Sequence, residues 1–183
     1  MGIFDNIKNA AQQGMGNIGG KRETFTFQSV PKSVAELSAL PEAALNTPFQ
    51  TAALVILALC NYNDDPSGTI EMINFLKGPT PLSGYDQQFL KDRLSGKGHV
   101  PRSFFAGATV ENNYTPTQPL TVTVFDNPYS YAEAGYAKLL IKSSGADQER
   151  PIQIRQKGQG QWFLWENFLL SDIRQPAAAD PWA

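Results

Sequence analysis

Thr47-Pro48-Phe49-Gln50-Thr51-Ala52-Ala53-Leu54-Val55-Ile56-Leu57-Ala58-Leu59-Cys60 is the stretch on which the arrangement of the chain turns. Thr47 followed by proline, with Gln50 three residues on, is a helix start. The hydroxyl and the amide satisfy each other's orphan N–H groups, and proline suits the first helical position. From Phe49 to Leu59 apolar residues fall on every side of the helical turn, so no face is left for water. Such a helix is stable only when other elements surround it. It is also far shorter than the roughly 20 apolar residues that cross a bilayer. It is therefore predicted to be the central core helix.

Outward from it, three further helix starts carry their own caps. Ser33-Val34-Ala35-Glu36 repeats the capping box, Asp65-Pro66 pairs a cap with proline ahead of Ile70, Ile73 and Phe75, and Ser83-Gly84-Tyr85-Asp86 opens a segment ending near Gly96. Phe89 and Leu90 of that last segment are expected to face inward. Thr24-Phe25-Thr26-Phe27 alternates as a short strand does. Beyond Pro101 a long irregular passage leads to Leu120–Phe125, Tyr136–Ile141, Ile152–Arg155 and Trp162–Trp165. These read as four strands, with Gly158-Gln159-Gly160 as a hairpin turn between the last two. Helices followed by a meander indicate an α+β fold, N-terminal helices packed on a C-terminal antiparallel sheet of four or more strands.

Two domains' worth of organisation is expected. Residues 1–22 read as an amphipathic helix and a glycine-rich tether, and residues 23–183 as a single α+β domain. Ile3, Phe4 and Ile7 line one apolar face of the terminal helix, and Gly14, Gly16, Gly19 and Gly20 break the pattern after it. That face is a candidate interaction surface. Its polar side has Lys8 as its one base, so it supports peripheral membrane contact only weakly. At the other end Asp180-Pro181-Trp182-Ala183 places a tryptophan where burial would gain about 1.5–3 kcal/mol. Trp182 is expected to pack into a groove of its own domain; docking onto a partner is the rival.

The chain carries 15 basic and 17 acidic residues in 183, and Lys21-Arg22 is its one adjacent basic pair. Nucleic-acid binding needs a basic patch, so nucleic acid is not expected as a partner. With 42% hydrophobic and 17% charged residues the chain falls in the globular class and not the disordered one. A single cysteine, Cys60, forms no internal disulfide and fits a reducing, cytoplasmic setting. No signal-peptide pattern opens the chain.

Chemistry is excluded more readily than assigned. His99 is the one histidine, which removes multi-histidine zinc and two-His-one-carboxylate iron sites. Asn61-Tyr62-Asn63-Asp64-Asp65 begins like a calcium loop, but Pro66 and Met72 stand where glycine and glutamate belong. Gly96-Lys97-Gly98-His99 lacks the spacing of a phosphate loop. Cys60 at the end of an apolar helix reads as inert core. No catalytic residue, metal ligand or cofactor is assigned. Tyr114, Arg155, Trp165 and Glu166 are the candidates for lining a pocket if the sheet curls around one.

A resemblance rests on Ser143-Ser144-Gly145-Ala146-Asp147, Arg150-Pro151-Ile152, Trp162-Phe163-Leu164-Trp165-Glu166, Ile173-Arg174-Gln175-Pro176 and Asp180-Pro181-Trp182-Ala183. Thr47 to Ala53, Phe75 to Pro79 and Asn112 to Pro116 agree with it. Together they resemble an uncharacterised bacterial domain-of-unknown-function family of the Firmicutes, over roughly Phe25 to Ala183. The family supplies no activity. The order of elements is also similar to that of cone-shaped nuclear-transport-factor-like domains, an analogy of fold alone. Two readings follow. One is a non-enzymatic interaction or scaffold protein of the bacterial cytoplasm with an unknown protein partner. The other is a small-molecule binding protein or cryptic enzyme with a pocket between helices and sheet.

Overall fold

In the computed structural model, which describes residues 20–182, the elements run β1 (Arg22–Phe27), α1 (Val34–Ser38), a 3-10 turn (Pro41–Ala44), α2 (Pro48–Leu59), α3 (Pro66–Lys77), α4 (Gly84–Leu94), α5 (His99–Arg102), β2 (Leu120–Phe125), β3 (Tyr136–Ile141), β4 (Arg150–Gln156), β5 (Trp162–Asn167) and a last 3-10 turn (Ala177–Ala179). The expected α+β fold is present. The expected terminal helix, with Ile3, Phe4 and Ile7, lies outside the described residues. β1 begins at Arg22, one residue before the expected domain boundary, and Lys21 N–H donates to Asp126 Oδ1 at 2.6 Å.

The sheet has five strands in the order β1-β2-β3-β4-β5, every pair antiparallel. Its extra strand is the Thr24–Phe27 segment, which returns beneath the helices so that Arg22 pairs with Phe125 and Phe27 with Leu120. Phe25, Val122, Leu139, Ile152 and Leu164 are buried on the inner face, while Thr24, Thr26, Lys138 and Arg155 are exposed. α2 packs against all five strands. A 12-residue helix is about 18 Å long, and five strands span about 19 Å, so one helix laid across them covers the face. Eleven of its twelve residues are buried, as its all-round apolar pattern requires. The sheet is open, and the inner face, where a cone would hold a cavity, is filled by α2.

The four caps are in place. Thr47 and Gln50 form the full box, as do Ser83 and Asp86, and Asp65 Oδ1 accepts from Gly68 N–H at 3.0 Å. At α1 the box is displaced by one residue. Ser33 Oγ accepts from Glu36 N–H, but the Glu36 carboxylate reaches back to Lys32 N–H at 2.8 Å.

β2 and β3 share only the pairs Val124–Ile141 and Phe125–Leu140. Where they splay, the irregular passage is inserted: Ala106 N–H donates to Thr121 O at 2.8 Å and Ser144 N–H to Ser103 O at 3.0 Å. Asn112 organises that passage. Its Oδ1 accepts from Thr109 N–H and Thr115 N–H, and its Nδ2 donates to Gly107 O and Thr115 O. One side chain thus satisfies four backbone groups, which is why a long loop can be rigid and well packed.

The tail corrects one expectation. Ala177 N–H bonds to Val110 O and Ala178 N–H to Asn113 Oδ1, after which Trp182 stands 93% exposed. Its nearest polar tie is its own N–H to Asp180 Oδ1. These bonds fasten the chain to the 110–113 loop, and no groove receives the indole.

Candidate ligand cleft beside strand β5

The site is built where α3 ends. Gly78, at φ +60°, stops the helix and lets the Phe163 ring lie against its backbone; a Cβ there would meet the ring at 2.5 Å. Asn74 Oδ1 accepts from Leu82 N–H at 2.8 Å, which turns the chain into Ser83 and the capped start of α4. α4 then buries only Leu90 and Leu94. It stands off the sheet, and the space between it and β5 is a cleft of about 530 Å³.

The cleft floor is apolar: Leu59, Ile73, Leu90 and Leu164, with Leu82 and Phe89 as walls. Tyr85, 81% exposed, and Phe168, 45% exposed, flank the mouth. Trp165 lies on the β5 side. The register slips between Gln153 and Ile154, so Gln153 pairs with Glu166 and Ile154 with Leu164. Trp165 is the extra residue of this bulge, a device that re-aims side chains at sheet edges.

Four charges line the cleft: Lys77, Asp86, Arg150 and Glu166. Two are already committed to structure. Arg150 donates to the carbonyls of Ser171, Gln148 and Asp172, and Asp86 accepts from Ser83 N–H at 2.9 Å and from its hydroxyl at 2.8 Å. Those bonds, the backbone one first, hold the Asp86 carboxyl below the usual carboxylate range. Lys77 is half-buried, and its ammonium donates to Trp165 O at 3.2 Å. Burial lowers its pKa, and the Asp86 and Glu166 carboxylates oppose that.

On the far side of Lys77 a second cleft of about 280 Å³ opens, lined by Lys77, Thr80, Arg155, Lys157, Gly158 and Trp165 among others. The Arg155 guanidinium lies 4.6 Å from the Trp165 centroid and 5.3 Å from that of Tyr136, two rings that meet edge-on at 76°.

Three of the four residues expected to line a pocket stand here. Trp165 and Glu166 line the larger cleft, and Arg155 and Trp165 the smaller. Tyr114 is placed elsewhere. It is fully buried at φ +54°, stacked on His99 at 5.5 Å between centroids, and its hydroxyl donates to Arg174 O at 2.7 Å. There it closes the fold, with Gly145 packed against its hydroxyl and Arg174 paired with Asp147. The larger cleft lies between the helices and the sheet at its β5 end, with Leu164 of the inner face on its floor. Lys77, Tyr85, Phe89 and Phe168 were missed as lining residues. For Tyr85 and Phe89 the available signal was the capped helix start at Ser83, which places both on one helix.

Neither the histidine nor the cysteine lines either cleft. Cys60 keeps some exposed surface, yet burial pushes its thiol up to about 12, with Arg102 pulling the other way. A thiol so shifted is unreactive at neutral pH. Among the described residues no group of three or more His, Cys, Asp or Glu could hold a metal ion, and no helix is long and apolar enough to cross a membrane.

Burial, then Arg102 and Lys97, depress the His99 pKa. With the folded value below the unfolded one of about 6.5, the unfolded chain binds the proton more tightly, so stability rises with pH across the window just below 6.5. His99→Gln is expected to flatten that rise, as read from urea unfolding midpoints between pH 5 and 7. An unchanged slope would place its origin elsewhere.

The family model described as Domain of unknown function (DUF6935) matches residues 29–177. The chain belongs to this family. No curated protein and no solved structure matches it. Every residue that lines the two clefts, Leu59 through Ser171, falls inside the DUF6935 span, whereas β1 and Trp182 fall outside it.

Proposed function

We propose that this member of DUF6935 is a non-enzymatic binding protein whose α4–β5 cleft takes up a small, largely apolar ligand. The observation that carries the reading is the stand-off of α4. In a fold whose inner sheet face is otherwise filled, one capped helix leaves Leu59, Ile73, Leu82, Phe89, Leu90 and Leu164 around open space. A volume of about 530 Å³ falls within the ~300–1,000 Å³ usual for small-molecule sites, which are mostly apolar with a few polar groups. Support for a binding role over a catalytic one comes from the lining itself, where Arg150 and Asp86 are bonded to backbone groups and Lys77 donates to Trp165 O. The bacterial, cytoplasmic setting implied by the family resemblance is part of the same proposal.

The neutral fluorescent probe N-phenyl-1-naphthylamine tests it. The full chain is expected to bind the probe saturably, with enhanced emission. Phe89→Glu puts a carboxylate in the apolar wall and is expected to weaken binding at least about tenfold, the equivalent of ~1.4 kcal/mol. Thermal melts confirm that the variant is folded. Equal binding by the wild type and the folded variant would remove the cleft as the site.

A further inference from the structure

We infer that the ligand is an amphiphilic anion, its apolar body in the α4–β5 cleft and its acidic head in the smaller cleft beyond Lys77. The inference rests on the proposed cleft reading and adds the ligand's charge and orientation. The smaller cleft is lined by three cations, Lys77, Arg155 and Lys157, and by no carboxylate. They converge from the end of α3, from β4 and from the turn after it, in a chain whose net charge is −2.

None of the three forms an ion pair among the described residues. Arg155 is held over the Trp165 ring, with the Tyr136 ring edge-on to that one beside it. A guanidinium held in this way keeps its N–H donors in the plane, where they match a carboxylate or phosphate two at a time. Thr80 adds a hydroxyl to the same lining. Lys77 is the joint between the clefts, because it lines both and one of its three N–H bonds goes to Trp165 O. Asp86 and Glu166 line only the larger cleft, so an acidic head is repelled from that side and drawn to the other. The orientation follows: apolar body toward Leu90 and Phe168, head toward Lys157.

A matched pair of probes reads this out. 8-Anilinonaphthalene-1-sulfonate and N-phenyl-1-naphthylamine share one ring system, and only the first carries an anion. The full-length protein is expected to bind the sulfonate about tenfold more tightly than the neutral probe, as charge-assisted bonds to a partly desolvated cation would give. Lys157→Gln, in an exposed turn, and the double variant Arg155→Gln/Lys157→Gln should shrink that preference to about twofold or less, leaving the neutral probe's affinity unchanged. Raising the salt concentration should act in the same direction. Decanoate should displace the sulfonate probe from the wild type better than 1-decanol does. Equal affinities for both probes, or a preference that survives the double variant, would overturn the anionic head while leaving the apolar cleft standing. Failure of both probes to bind would overturn the cleft reading and this inference with it.

Discussion

Gly78→Ala is expected to destabilise the protein by about 3 kcal/mol or more, the sum of left-handed backbone strain and a steric clash in a packed site. At φ +60° the position suits glycine, and an added Cβ would lie 2.5–2.8 Å from three carbons of the Phe163 ring. The ring cannot retreat cheaply, since β5 is held by its pairing with β4. For a domain of this size the melting temperature should fall by roughly 10 °C. Gly96→Ala is the internal control. Gly96 also has positive φ, but nothing lies within 4 Å of its added Cβ, so only the strain of about 1 kcal/mol remains. Equal losses at the two positions would show that Phe163 is not pinned against α3. Gly78 would then have no part in shaping the clefts.

A second large effect is expected along α2. Truncating Leu54, Ile56, Leu57 or Leu59 to alanine should cost about 2–5 kcal/mol each, with Val55→Ala lower in that range, because every one of these side chains is at most 2% exposed. The sequence of costs matters more than any single value. Consecutive residues point about 100° apart, so an ordinary amphipathic helix would alternate between costly and neutral positions. Chemical denaturation of the five variants should show no neutral one. A variant within about 0.5 kcal/mol of the wild type would mean that one face of α2 is not packed.

The helices and strands were legible wherever local chemistry decides. The alternation of Leu120–Phe125 and Tyr136–Ile141 placed β2 and β3 at their observed ends, and the four caps marked the starts of α1 to α4. Features fixed by distant contacts were not. α5 is a single turn starting at His99, and its N-cap Gly98 has no side chain to announce it. The insertion of Ser103–Ala106 beside β2 depends on bonds to residues far along the chain. Asn112 stood in the sequence as one of several polar loop residues, and its four backbone bonds exist only in the closed loop.

The cleft was half legible, for similar reasons. Arg155, Trp165 and Glu166 stood out as charged and aromatic groups on neighbouring strands. A strict two-residue period cannot show where Trp165 points, since the bulge breaks the period at that residue. Lys77 and Lys157 lie 80 positions apart and meet only because α3 runs beside β5. Trp182 failed for a different reason. The gain from burying an indole is a local property, but whether a groove lies within reach of a chain fastened at Ala177 and Ala178 is not.

The central claim is that the space beside β5 is a ligand site. Amide chemical-shift mapping of the ¹⁵N-labelled full chain during titration with N-phenyl-1-naphthylamine tests it most directly. Saturable shifts are expected at Lys77, Tyr85, Phe89, Trp165 and Phe168, with His99, Tyr114 and Trp182 unmoved. Shifts scattered over the surface, or confined to residues outside the α4–β5 cleft, would contradict it.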